Sequence, residues 1–218
     1  MNPMKSRLRS LAGAAASAAL VVSAPTALMT TAPAAAQARG DLALAVAALR
    51  SISTMRANFV QTDRNGKQLG GTMTLKRPGK IRFQYQKGVP FLIVADGSAL
   101  TFIDYQVRQV QRWPIGSTPL GAIIDPRRDV ARFGKLQPVS SPNIVSVEVR
   151  DRGHPEYGII TLVFVRKASA PGGLELASWA ALDSQNTLTR VDLSNHQYGL
   201  AVSDGTFRFN DPRPVNRR

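Results

Sequence analysis

The chain of 218 residues contains no cysteine. That absence excludes disulfides, thiolate metal sites, cysteine nucleophiles and any cysteine for lipid attachment. Histidine is nearly as scarce: His154, in the turn-like RGHPEYG, and His196, near a strand end, show no metal-ligand spacing and read as loop or surface residues. No G-x-S-x-G elbow, Walker loop or dinucleotide fingerprint occurs. The 14 acidic residues are scattered, and Asp96 and Asp104 fall beside predicted turns, where aspartate is expected for backbone reasons. The reading is a non-enzymatic protein with no cofactor and no metal.

Acidic residues are outnumbered two to one by 28 lysines and arginines, for a net charge of +14. Long apolar runs are also missing, apart from one at the start. There Lys5, Arg7 and Arg9 precede a run from Leu11 to about Val22, and Ala36 and Ala38 bracket Gln37. This is the pattern of a secretory signal peptide over 1–38, leaving 39–218 as a single domain. Removing it lowers the net charge from +14 to +11. Export without disulfides suits a bacterial periplasm. It also directs the basic surface away from nucleic acid, toward anionic head groups or acidic proteins, or to simple solubility.

From Asp41 to about Met55, Leu42, Val46, Leu49, Ile52 and Met55 recur at spacings of three and four, behind Asp41 as N-cap. An amphipathic helix is predicted. The period then changes to two, in short segments separated by DRNGK, RPGK, QKGV, ADGS and DYQ, the marks of an antiparallel meander. Asn65-Gly66 predicts a type I′ turn and Pro78-Gly79 a type II turn. Strand periodicity stops over Pro114–Leu136, where two short helices are expected, at about Thr118–Ile124 and Arg127–Phe133. A second run of strands follows, from NIVSVEVR through GTFRFN. About eleven strands with helices between them give a mainly β fold with some α: a curved antiparallel sheet, an incomplete or half-open barrel. Helices either fill its concave side or cover a hydrophobic cavity there.

The most informative stretch is TLKRPGKIRFQY. Alternation carried through the turn puts Met73, Leu75, Arg77, Ile81, Phe83 and Tyr85 on one face. All are apolar but Arg77 and the tyrosine hydroxyl. Either the turn breaks the alternation and Arg77 is solvated, or Arg77 points inward, toward carbonyls at the ends of covering helices. Leu120, Ile123 and Ile124 are the apolar residues of the insertion that could cover the same space.

LKRPGKIRF, with ANFVQTDRNGKQLGG before it and IVADGSALTFIDYQVRQV, ELASWAALDSQNTLTRVDLSN and FRFNDPRPV after it, resembles the periplasmic outer-membrane lipoprotein carrier family, LolA. The resemblance implies a monomeric periplasmic carrier that takes acylated lipoproteins from an inner-membrane ABC transporter and passes them to an outer-membrane receptor. It also implies that Arg77 anchors a helical lid, and that Met73, Leu75, Ile81, Phe83, Tyr85, Leu120, Ile123 and Ile124 form the cavity and lid that hold the acyl chains. Ile81 departs from the aromatic residue common in the family at that place. A lipid-sensing regulator of the same fold and a binding scaffold with a filled core are the alternatives. The receptor lipoprotein is excluded by the lack of cysteine.

Overall fold

The computed structural model describes residues 34–115, 121, 124–125 and 130–214; residues 1–33 of the expected leader, Leu120, Ile123 and most of the proline-bounded insertion lie outside these. The chain begins with α1 (Ala34–Ser51) and continues through β1 (Thr54–Thr62), β2 (Gln68–Lys76), β3 (Lys80–Tyr85), β4 (Phe91–Asp96), β5 (Ala99–Asp104) and β6 (Gln109–Pro114). After the insertion come α2 (Val130–Phe133), β7 (Gly134–Gln137), β8 (Ile144–Arg150), β9 (Ile159–Arg166), β10 (Leu174–Leu182) and β11 (Leu188–Tyr198). No described helix is long and apolar enough to cross a membrane.

All eleven strands form one antiparallel sheet in the order β6-β5-β4-β3-β2-β1-β11-β10-β9-β8-β7. Two meanders are joined where β1 pairs with β11, and the outer edges of β6 and β7 are unpaired in the sheet. Phe83 on β3 and Trp179 on β10 lie four strand steps apart, roughly 19 Å along a flat sheet, yet their ring centroids are 5.8 Å apart. Only strong curvature brings them together, so the sheet is a half-open barrel.

The total of eleven strands hides two compensating differences. Gly134–Gln137, expected to end the helical insertion, is strand β7, while GTFRFN is no strand but a 3-10 turn, Asp204–Phe207, with extended chain after it. That segment lies on the convex face, where Phe207 packs with Leu92, Val94 and Ile103. Lys76 donates to the Val202 carbonyl, and Arg82 to those of Thr206 and Arg208. These bonds satisfy backbone groups that a strand would have paired in a ladder.

The helix differs as well. It starts before Asp41, which serves as no cap; its carboxylate takes a 2.5 Å ion pair from Arg166 at the end of β9. Met55 falls on β1, because Ile52 and Met55 continue the helical spacing only by coincidence with the alternation Met55, Ala57, Phe59. Ala45, Val46, Ala48 and Leu49 pack on Val145, Val147, Leu162, Phe164 and Leu174. The helix therefore fills the β8–β10 half of the concave side. It is held there at close range by the Pro171–Gly173 turn, where a Cβ on Gly172 (φ 70°) would come within 2.6 Å of the Ala48 Cα. Gly172→Ala is expected to cost about 2 kcal/mol and to lower the melting temperature by about 4–8 °C in thermal unfolding.

The hairpin at Asn65-Gly66 is not type I′, since only Gly66 has positive φ. Asp63 organises a five-residue loop instead, with Oδ1 accepting from the backbone N–H of Asn65 and Lys67. Asp183 does the same between β10 and β11, accepting from Gln185 and Thr187, with Asn186 at φ 57°. These matching loops stand on neighbouring hairpins, β1–β2 and β10–β11, at the junction of the two meanders.

Candidate functional site: an apolar cavity with Arg77 at one end

On the half of the concave side that the helix does not fill lies a cavity of about 410 Å³. One wall is Met55, Met73, Leu75, Ile81, Phe83, Ile93 and Leu100, from β1 to β5. The facing wall is Ile160, Leu162, Leu176, Trp179, Ala181 and Val191, from β9 to β11. Leu49, Ile52 and Ile124 close one end. Among the described lining residues only Gln61, Arg77 and Thr189 are polar. Met55 and Gln61 are six residues apart on one strand, a span of roughly 20 Å, so the cavity is long and narrow.

Each strand delivers its side chains by alternation, corrected by a bulge where needed. On β1 the inward set is Met55, Ala57, Phe59 and Gln61. On β10 the pairing with β9 slips between Leu176 and Ser178. The extra residue, Ala177, lets Leu174 and Leu176 face α1 and then turns Trp179 and Ala181 inward as well. Without that bulge Trp179 would point outward.

Opposed pairs Met73–Phe83 and Leu75–Ile81 hold the β2–β3 side of the wall in register. The three-residue connection Arg77–Gly79 carries the alternation through, so Arg77 points into the cavity. The Arg77–Pro78 peptide is cis and Gly79 has φ 75°. A Cβ on Gly79 would come within 2.6 Å of the Gly97 Cα in the β4–β5 turn, so the position is closed to larger residues.

The Arg77 guanidinium donates through Nη2 to the Leu49 carbonyl at 3.1 Å and through Nη1 to the Ile124 carbonyl. Gly79 N–H donates to that Ile124 carbonyl at 3.3 Å, and Arg77 N–H to the Ser53 carbonyl at 2.8 Å. Leu49 belongs to the last turn of α1, whose carbonyls lack intrahelical partners. The turn at Ile124 is helical too, with Asp125 N–H donating to the Gly121 carbonyl at 2.8 Å. One side chain thus ties two helical covers to the sheet. Burial draws its pKa down to about 10, against the opposing attraction of Asp125, so it remains cationic at neutral pH.

Of the other residues named from the sequence, Met73, Leu75, Ile81, Phe83 and Ile124 line the cavity, while Leu120 and Ile123 fall outside the described residues. Tyr85 stands behind the wall. Its ring meets Phe59 edge-on at 5.1 Å, its hydroxyl donates to Gln61 Oε1 at 2.7 Å, and burial pushes its pKa up to about 12. The second meander's contribution was missed, Trp179 above all, since its inward direction depends on the bulge. The only sequence signal was the odd spacing of Leu174, Leu176, Trp179 and Ala181.

The groups considered for chemistry have other partners. Asp96 Oδ1 accepts from Ser98 N–H, Ser98 Oγ and Ala99 N–H, and Asp104 Oδ1 from Gln106 and Val107 N–H. His154 is an exposed loop residue beside Glu156. His196 is not at the surface: its side chain is 5% exposed, and Nε2 donates to the Leu176 carbonyl at 2.9 Å. The bulge at Asn195 (φ 53°), where β11 slips against β1, turns it inward. Among the described residues no three His, Asp or Glu side chains lie close enough to share a metal ion.

A family model described as outer membrane lipoprotein carrier protein LolA matches residues 50–210. An outer-membrane lipoprotein carrier protein from Legionella pneumophila (strain Lens) is 39% identical over 177 residues, 77% of this chain and 84% of its own length. One from Dechloromonas aromatica (strain RCB) is 27% identical over 182 residues, 75% of this chain and 80% of its own. Among solved structures, a LolA superfamily protein from Nitrosomonas europaea aligns with a TM-score of 0.46 at 10% identity, over 79% of this chain and 97% of that one.

Proposed function

Since this chain belongs to the outer-membrane lipoprotein carrier family LolA, we propose that its cavity shelters the acyl chains of a lipoprotein under a lid that Arg77 holds shut. Its function is lipoprotein carriage. One observation carries the mechanism: a narrow apolar cavity closed by a single buried cation that donates to two helix carbonyls.

The physics of the cargo demands both parts. Each buried methylene is worth about 0.8 kcal/mol, so three acyl chains cannot cross water bare. A cavity that only attracted them could not give them up. Hydrogen bonds from a cationic donor, about 1.5–3 kcal/mol each, stabilise the empty, closed state and so oppose binding by a limited amount. Release then requires only a receptor site that binds the chains more strongly than the difference.

We read the compartment as the periplasm and the protein as a monomer that accepts cargo from an inner-membrane transporter and gives it to an outer-membrane receptor. Nothing in that cycle calls for a catalytic group. A direct test is to add the purified protein to spheroplasts of the source cells. Newly made lipoproteins should leave the membrane and appear in solution in complex with it. Lipoproteins that stay on the membrane, with the transporter active, would overturn the reading.

A further inference from the structure

The ladder registers of β2 to β6 align one residue per strand: Leu75 opposite Ile81, Ile81 opposite Ala95, Ala95 opposite Leu100, and Leu100 opposite Trp113. Opposed residues of an antiparallel ladder share a face, so these five make one apolar row on the concave side. It starts beside Arg77 and ends at the free edge of the sheet, because β6 is an outermost strand. Leu75, Ile81 and Leu100 line the cavity and Ala95 is fully buried, but Trp113 stands past the cavity and is 47% exposed. One step along the strands, Phe102 shares the same face and is half-buried, with its ring centroid 5.5 Å from that of Phe91.

Exposed aromatic surface continuous with an apolar cavity marks a binding surface. Capacity gives it an occupant. At about 410 Å³ the cavity lies toward the low end of the range, ~300–1,000 Å³, that holds one drug-sized ligand. Three acyl chains carry roughly 40 methylenes and exceed it. We propose that Trp113, with Phe102 and Phe91, forms a shelf at the open edge of the sheet that covers the acyl-chain length the cavity cannot hold. This rests on the carrier reading. The row of opposed apolar residues gives such a chain an unbroken apolar path from the cavity to the shelf.

The chain has two tryptophans, one at each place. Trp113→Phe leaves Trp179 to report on the cavity, and Trp179→Phe leaves Trp113 to report on the shelf. Each is titrated with a triacylated lipopeptide bearing brominated acyl chains and with its monoacylated counterpart. Trp179 fluorescence should fall at least twofold with both ligands, and Trp113 fluorescence at least twofold with the triacylated one only. The shelf is overturned if Trp113 stays bright while Trp179 is quenched by the triacylated ligand, or if the monoacylated ligand quenches Trp113 equally. A Trp179 that neither ligand quenches overturns the carrier reading itself. Should Trp179→Phe misfold, the difference between the unsubstituted protein and Trp113→Phe isolates the same Trp113 signal.

Discussion

Arg77→Leu is expected to leave the sheet folded and to release the lid. Losing two hydrogen bonds from a charged donor, at about 1.5–3 kcal/mol each, would shift the closed state by at least 100-fold if nothing opposed it. Burial of the guanidinium offsets part of this, as the pKa drawn down to about 10 shows, so a shift of roughly 10- to 100-fold is the expectation. Fluorescence of an environment-sensitive dye should rise, cargo should be held more tightly by a similar factor, and transfer to the receptor should slow. Arg77→Lys keeps the charge but loses the planar fork that reaches the Leu49 and Ile124 carbonyls together, and should fall between. Unchanged dye binding and unchanged release in Arg77→Leu would remove the latch from the account.

Phe83→Glu should abolish uptake at neutral pH. The ring faces the cavity, edge-on to Phe59 at 5.3 Å and to Trp179 at 5.8 Å. An ionised carboxylate there would stand among apolar side chains, with Arg77, the cation lining the same cavity, already donating to the Leu49 and Ile124 carbonyls, and would cost several kcal/mol to cover with hydrocarbon. A loss of acyl-chain affinity beyond 100-fold is expected, with circular dichroism intact. Because burial raises a carboxyl pKa, lowering the pH protonates the group, and part of the uptake should return. Full uptake at neutral pH with the fold intact would take Phe83 off the cavity wall.

The LKRPGKIRF stretch was readable because period-two alternation and a short turn leave little freedom. The face shared by Met73, Leu75, Ile81 and Phe83 follows from strand geometry alone, and Arg77 joins it because the three-residue connection keeps the alternation. Opposite this wall the reading failed for a definite reason. Trp179 and His196 face inward only through bulges at Ala177 and Asn195, and a single inserted residue reverses every side chain beyond it. The end of the helix was misplaced because Met55 satisfies both periods, three residues after Ile52 and at the head of the alternation Met55, Ala57, Phe59. Its start, before Asp41, was hidden because the alanine-rich segment ahead of it reads as part of a leader. Whether helices fill or cover the concave side is not a property of any one segment. Both occur: α1 packs against β8–β10, and the β1–β5 side is left open beneath Leu49, Ile52 and Ile124.

On the proposed function, acyl chains and not the protein part of the cargo are what the cavity holds. Native mass spectrometry of the purified protein with excess triacylated lipoprotein, and with the same lipoprotein stripped of its acyl chains, separates the two. A one-to-one complex that forms only with the acylated form is the predicted result. An equal complex with the stripped form, or none with either, would contradict it.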